Sequence, residues 1–238
     1  MIGTLINMGT VLAGTAVGTL LGGRLPERVR ETMLHALGLV TLVVGVGQGL
    51  DAFRPPLTDL TRGAVLIVMG SILVGGIIGE LVGIERGLDR LGEGLRERFG
   101  RGQARFTEGF VVASLVFCVG PLTILGSIQD GLTGDYQLLA VKSLLDGFAA
   151  VAFASALGWG VGFSVLVILI YQGGLTLGAS VLAGVFSEAM IAAMSATGGV
   201  LILGIGLRLL DLRRVRVANL LPALVLAPAA VALLEAAR

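Results

Sequence analysis

The chain has 238 residues, with 17 Lys and Arg against 16 Asp and Glu and a formal net charge of +1. At 55% hydrophobic residues and a mean hydropathy of +0.95, it carries more apolar surface than one soluble core of this length buries, which excludes an ordinary water-soluble domain and points to a bilayer. One cysteine, Cys118, and one histidine, His35, exclude a disulfide framework and a His/Cys metal cluster within a single chain.

Apolar stretches near 3–23, 34–50, 63–84, 108–128, 138–158, 160–182, 190–210 and 218–235 are each close to the ~20 residues that cross a hydrocarbon core. The expected fold is therefore all-α: a polytopic integral membrane protein of about eight transmembrane helices, forming one domain over 1–238. The short second stretch and the weak break between Leu157 and Gly162 leave seven or nine spans open.

The first stretch, "MIGTLINMGT", lacks the basic region of a cleaved signal peptide and runs on to Gly23, so a retained helix is expected. It carries Gly14, Gly18 and Gly22 at four-residue spacing, one stripe on which a neighbouring backbone can pack. "RLPERVRETMLHAL" reads as a short amphipathic segment with Pro26 in a first helical turn. The third span repeats the stripe with Gly75, Gly79 and Gly83, and Glu80 lies beside it. The connector over 85–106 alternates acids and bases and spaces Leu88, Leu91 and Leu95 as a helix does. It is expected to lie on the inner membrane surface, either contacting lipid or partners or acting as a solvated connector.

The fourth span holds Gly120-Pro121 in its interior, so one interrupted helix is expected there. Freed backbone at membrane depth survives where protein buries it or where it lines a wet cavity. Ser114, Thr123, Ser127 and Gln129 are candidates to repair it. In the following turn, Asp130 and Asp135 are either solvated or form an acidic vestibule that concentrates cations.

Lys142, the only lysine, and Asp146 share a face of the fifth span. Each would cost about 2.5–3.5 kcal/mol alone near the membrane centre. Lysine preceding the acid is the less favourable order for an isolated helix, so local helix stability is a poor reason for the pair. An internal ion pair and a polar face lining a pathway both remain open; "YQGG", Tyr171 and Gln172 followed by two glycines, would continue that face and open the sixth span.

Charge supplies a check on topology, because inner loops are enriched in Lys and Arg. With the N-terminus outside, thirteen arginines fall inside: Arg24, Arg28, Arg30, Arg86, Arg90, Arg96, Arg98, Arg101, Arg105, Arg208, Arg213, Arg214 and Arg216. Three, Arg54, Arg62 and Arg238, fall outside. Both termini are then extracytoplasmic.

A shift of 160 aligns residues 14–73 with 174–233, pairing Gly14 with Gly174, Gly38 with Gly198, Asp51 with Asp211 and Arg54 with Arg214. If this is a repeat, unit one (about 3–84) and unit two (about 160–238) flank central helices over 108–158. The displacement of five spans makes the repeat inverted, as in many secondary transporters. The alternative is that Gly-, Leu- and Val-rich helices resemble one another by composition.

The start, "MIGTLINMGTVLAGTAVGTLLGGRLPERVRETMLHALGL", with "FCVGPLTILGSIQDGLTGD", "KSLLDG" and "YQGG", resembles a bacterial membrane family, domain of unknown function 554. The resemblance covers the whole chain. It implies a polytopic inner-membrane protein, considered for transport, and supplies no site residues.

The leading expectation is a secondary transporter or ion-conducting protein for a small solute or cation, with a polar site near the membrane midplane. Asp146 would bind a cation or proton, Lys142 would compete for its charge or hold an anionic group, and the backbone at Gly120-Pro121 would coordinate substrate. The alternative is a membrane assembly, lipid-binding or regulatory protein. No catalytic residue, cofactor or metal is expected, since no nucleophile finds a convincing partner and the glycines of "GVGQGL" sit in a transmembrane run. Membrane lipids and a second copy of the chain are the expected macromolecular-scale partners, and no soluble domain offers a nucleic-acid surface.

Overall fold

The computed structural model describes residues 1–99, 104–182 and 185–237, all helix, turn or irregular chain. Arg101 and Arg238, placed above by charge counting, lie outside the described residues. The helices are α1 (Ile2–Gly22), α2 (Glu27–Gly49), α3 (Leu57–Leu60), α4 (Ala64–Val82), α5 (Ile84–Phe99), α6 (Phe106–Cys118), α7 (Pro121–Thr133), α8 (Gln137–Leu157), α9 (Ser164–Leu177), α10 (Ala179–Leu182), α11 (Glu188–Leu209) and α12 (Ala223–Ala236). Short 3-10 segments at Leu50–Phe53, Trp159–Phe163 and Val217–Leu220 extend α2, precede α9 and precede α12.

Seven of these segments are long and apolar enough to cross a membrane, and α6 with α7, bent by 64°, makes an eighth if the pair is one span. The protein is thus an all-α, polytopic membrane protein. The second crossing begins earlier than its apolar stretch. No breaker separates Glu27 from Gly49, so the polar turn after Pro26 joins the helix that a hydropathy reading starts near residue 34.

The described chain gathers into two compact units. The first comprises Met1–Leu37 and Leu88–Ala183, the second Gly38–Gly87 and Gly184–Arg238.

In the first unit α1 and α8 run parallel in backbone contact. A Cβ added to Gly14, Gly18 or Gly22 would meet the carbonyl oxygen of Gly147, Val151 or Ser155, one helical turn apart at each step. Close approach of this kind replaces the missing hydrophobic drive between helices in lipid with dense dispersion contact. The bent pair α6/α7 lies along 159–179 from end to end. Gly160 abuts the Phe106 carbonyl at the start of α6, and Gly131 abuts Thr176 and Ala179 near the end of α7. Both halves therefore pack along the crossing that contains α9, running in the same direction as it.

In the second unit α4 packs antiparallel to 217–236. Gly75 faces the backbone of Ala223 and Gly79 the carbonyl of Asn219. Gly83 does not continue this stripe: it ends α4 in a left-handed conformation (φ 75°), which a glycine adopts without the Cβ penalty. Gly45 and Gly199 bring α2 and α11 equally close. Leu57, Leu60, Ala64, Met190, Ala193, Ala227 and Val231 form the apolar core between α3, α4, α11 and α12. Ser187 caps α11 by accepting the Met190 N–H at 3.1 Å.

Candidate functional site

Pro121 defines the site. In a continuous helix the amide of residue 121 would donate to the carbonyl of Phe117, and proline has no N–H to give. The chain accordingly stops being helical at Cys118, passes Gly120 at φ 158° and ψ 152°, a region essentially restricted to glycine, and restarts with Pro121 in the first turn of α7. The orphaned Phe117 oxygen is not left bare. The Lys142 ammonium, brought by α8, donates to it at 2.7 Å. Ser114, Thr123 and Ser127, expected as the repairing groups, are buried with no hydrogen-bond partner among the described residues. Gln129 donates instead to Asp135 at 2.7 Å. A long flexible stem reaches across between helices where short hydroxyls on the broken helix cannot.

The same ammonium also pairs with Asp146, one turn along α8. Both side chains are about nine-tenths buried. The Asp146 oxygen that receives Lys142 also accepts the Asn7 amide of α1 at 3.0 Å. Asn7 Nδ2 donates in addition to Gln172 Oε1 of α9 at 2.9 Å, and Gln172 Nε2 donates to the Thr4 hydroxyl at 3.3 Å. Thr4 in turn meets the Thr176 hydroxyl at 3.4 Å. Four helical segments, α1, α6/α7, α8 and α9, thus contribute to one buried network. Asn7 Oδ1, buried within it, has no donor among the described residues.

A bound cation is the kind of ligand such a set of oxygens can hold: a freed backbone carbonyl, a carboxylate and an amide oxygen. No group of three or more His, Cys, Asp or Glu that could hold a metal ion occurs among the described residues.

A protein-family model described as "Protein of unknown function (DUF554)" matches residues 2–232. The chain belongs to the DUF554 family. Among curated proteins, this DUF554 chain is similar to the "Uncharacterized membrane protein YdfK" of Bacillus subtilis (strain 168), with 29% identity over 236 residues covering 99% of this chain and 98% of that one. It is also similar to the "Uncharacterized protein YqgA" of Escherichia coli (strain K12), with 33% identity over 232 residues covering 95% and 94%. No solved structure matches.

The other candidate residues fall in different places. Asp130 is not part of an open vestibule: it is 4% exposed, pairs with the amino group of Met1 at 2.8 Å and accepts the Gly3 N–H at 3.1 Å. Asp135 is half-buried at the turn and accepts the Gln137 N–H at 3.0 Å, holding the start of α8. Glycines 173 and 174 do not open the sixth span, because α9 continues through them with its backbone bonds kept. Tyr171 is half-buried and takes no part in the network that holds Gln172. Asn7, Thr4 and Thr176 are absent from the sequence-derived candidates. The available signal was Asn7 itself, a lone carboxamide in a first span whose other polar side chains are threonines.

Proposed function

We propose that this DUF554 protein is a secondary transporter or ion-conducting protein of the bacterial inner membrane, with both termini extracytoplasmic and its site at the break between α6 and α7. The observation that carries the reading is the buried Lys142–Asp146 pair engaged with the carbonyl freed at Pro121. Ionisable groups inside a span are costly and mark pathways or sites, and broken helices supply the backbone ligands for ions in transporters.

Helix boundaries support an inverted repeat. Adding 160 to the bounds of α2 (27–49) gives 187–209, against the observed 188–209 of α11. The same shift brings the start of α4 to residue 224, against 223 for α12, and α1 to 162–182, which overlaps the segments 159–177 and Ala179–Leu182. Each shifted partner also packs antiparallel on its counterpart: Asn7 and Thr4 of α1 meet Gln172 and Thr176 of α9, Gly45 of α2 meets Gly199 of α11, and Gly75 and Gly79 of α4 meet Ala223 and Asn219. Antiparallel pairing of equivalent helices is what a two-fold axis in the membrane plane produces.

Flux in proteoliposomes across a panel of monovalent cations and small metabolites tests the function. Wild type should move one class of solute and Asp146→Asn, reconstituted in folded form at equal amount, none. Undiminished flux in that variant removes the assignment.

The competing reading, a lipid-binding or assembly protein, draws on α5, which exposes Leu91 and Phe99 among its arginines. It requires that neutralising Arg86, Arg90, Arg96 and Arg98 together disturbs function more than Asp146→Asn does.

A further inference from the structure

The proposed function leaves open what the site takes, and the network around Lys142 narrows it. Each nitrogen there already donates: Lys142 to Phe117 and Asp146, Asn7 to Asp146 and Gln172, Gln172 to Thr4. The uncommitted amide group is an acceptor, Asn7 Oδ1, fully buried. The groups held against the ammonium are oxygens, the freed Phe117 carbonyl and the Asp146 carboxylate, which attract a cation and repel an anion.

Charge fixes the valence. Asp146 is the one carboxylate in the network, since Asp130 is held by Met1 and Gly3 and Asp135 is in the exposed turn. A single carboxylate at membrane depth balances one positive charge, and Lys142 already supplies it. A second cation cannot join the pair without leaving an uncompensated buried charge, which costs several kcal/mol. It can only take the lysine's place. Lysine suits that exchange: its ammonium is a compact point charge on a flexible four-carbon stem, without the rigid two-pronged grip of arginine.

Resting on the transport reading, we propose that Phe117 O and the Asp146 carboxylate form the core of a site for a small monovalent cation of the ammonium or alkali class, and that the Lys142 ammonium is its tethered occupant, displaced when the transported cation binds. The lysine thereby keeps the carboxylate neutralised and the broken helix hydrogen-bonded between turnovers.

The test is thermal unfolding of detergent-purified protein in ammonium, methylammonium, sodium or potassium chloride, with choline chloride at equal concentration as the control for ionic strength. A ligand of the folded state raises its apparent stability. Lys142→Ala removes the tethered occupant and should be stabilised by at least one of the small cations, half-maximally at a concentration at least tenfold below that needed by wild type. Asp146→Asn should respond to none beyond the choline control.

Should Lys142→Ala fail to fold in choline, Lys142→Gln retains a donor for Phe117 while leaving Asp146 unbalanced, and it should show the same cation response. Indifference to all four cations in Lys142→Gln, or an equal response in Asp146→Asn, overturns the proposal. Solute flux in wild type without a cation response in either lysine variant keeps the transport reading and removes this site. A cation response without flux does the reverse.

Discussion

Lys142 with Asp146 in the first unit and Arg208 with Glu85 in the second are both buried acid–base pairs, but they are finished differently. Glu85 sits at the junction of α4 and α5. Its carboxylate receives Arg208 at 3.1 Å and the Ala218 N–H at 2.8 Å, while its own N–H donates to Asn219 Oδ1 at 2.7 Å. Nearby Glu80 holds Arg216 and the Asn219 amide, each at 2.6 Å. These charges sit at helix ends, where free backbone groups need partners, and they join the α4–α5 turn to the segment that begins the last span. Lys142 and Asp146 instead lie inside a helix whose backbone needs nothing from them. The lysine serves a neighbouring broken helix, and an acceptor is left over. A clamp uses up its polar groups; a site retains some.

The glycine stripes break the comparison most severely, because both units depend on them. Gly18→Leu would drive a side chain into the Val151 carbonyl, and Gly79→Leu into that of Asn219. Neither backbone can retreat without separating its helix pair. Both variants should lose the monodisperse peak in size-exclusion chromatography after detergent extraction, and a normal peak for either refutes the packing described.

The two acids should then separate. Asp146→Asn removes flux; its amide oxygen still accepts from Lys142 and Asn7, but the buried ammonium loses its counter-charge, so about 3–5 kcal/mol of stability is lost as well. Glu85→Gln should lower stability by about 2–3 kcal/mol, less than the 3–5 kcal/mol of a fully buried pair, since Arg208 retains a fifth of its side-chain exposure. Thermal unfolding of both variants beside flux gives the split: Glu85→Gln loses stability and keeps flux, Asp146→Asn loses both, and flux lost in Glu85→Gln but kept in Asp146→Asn would reverse the roles assigned to the two pairs.

Pro121→Ala sharpens the contrast from the other side. It returns an N–H opposite Phe117 and lets a backbone bond compete with Lys142. About 1 kcal/mol of added stability is expected from the new hydrogen bond, together with a fall in flux as the break straightens. A rise in flux would mean that the break itself is dispensable.

Spans were legible where hydropathy and helix ends coincide: 63–84 against Ala64–Val82, and 190–210 against Glu188–Leu209. The break was legible because Gly-Pro acts locally. Its repair was not, since Lys142 lies 25 residues from Phe117 and reaches it only through packing of α8 on α6. Asp130 looked solvated for the same reason: its partners, Met1 and Gly3, are at the other end of the first crossing's sequence distance, 127 residues from Asp130 in the case of Gly3. Periodicity reports what a residue's own helix does, and the network is assembled by four segments.

The smallest effect tests whether glycine spacing alone locates contacts. Gly9 of α1 and Gly70 of α4 lie on the same helices as the packed stripes, yet a Cβ at either meets nothing within 4 Å. Gly9→Ala and Gly70→Ala therefore remove only backbone freedom and should each stabilise the protein by about 0.5–1 kcal/mol, read as a small rise in the unfolding midpoint with flux unchanged. A loss of stability at Gly9 would place an additional partner against that face of α1, and one at Gly70 would do the same for α4. In either case the stripe would be a poor guide to which glycines the fold requires.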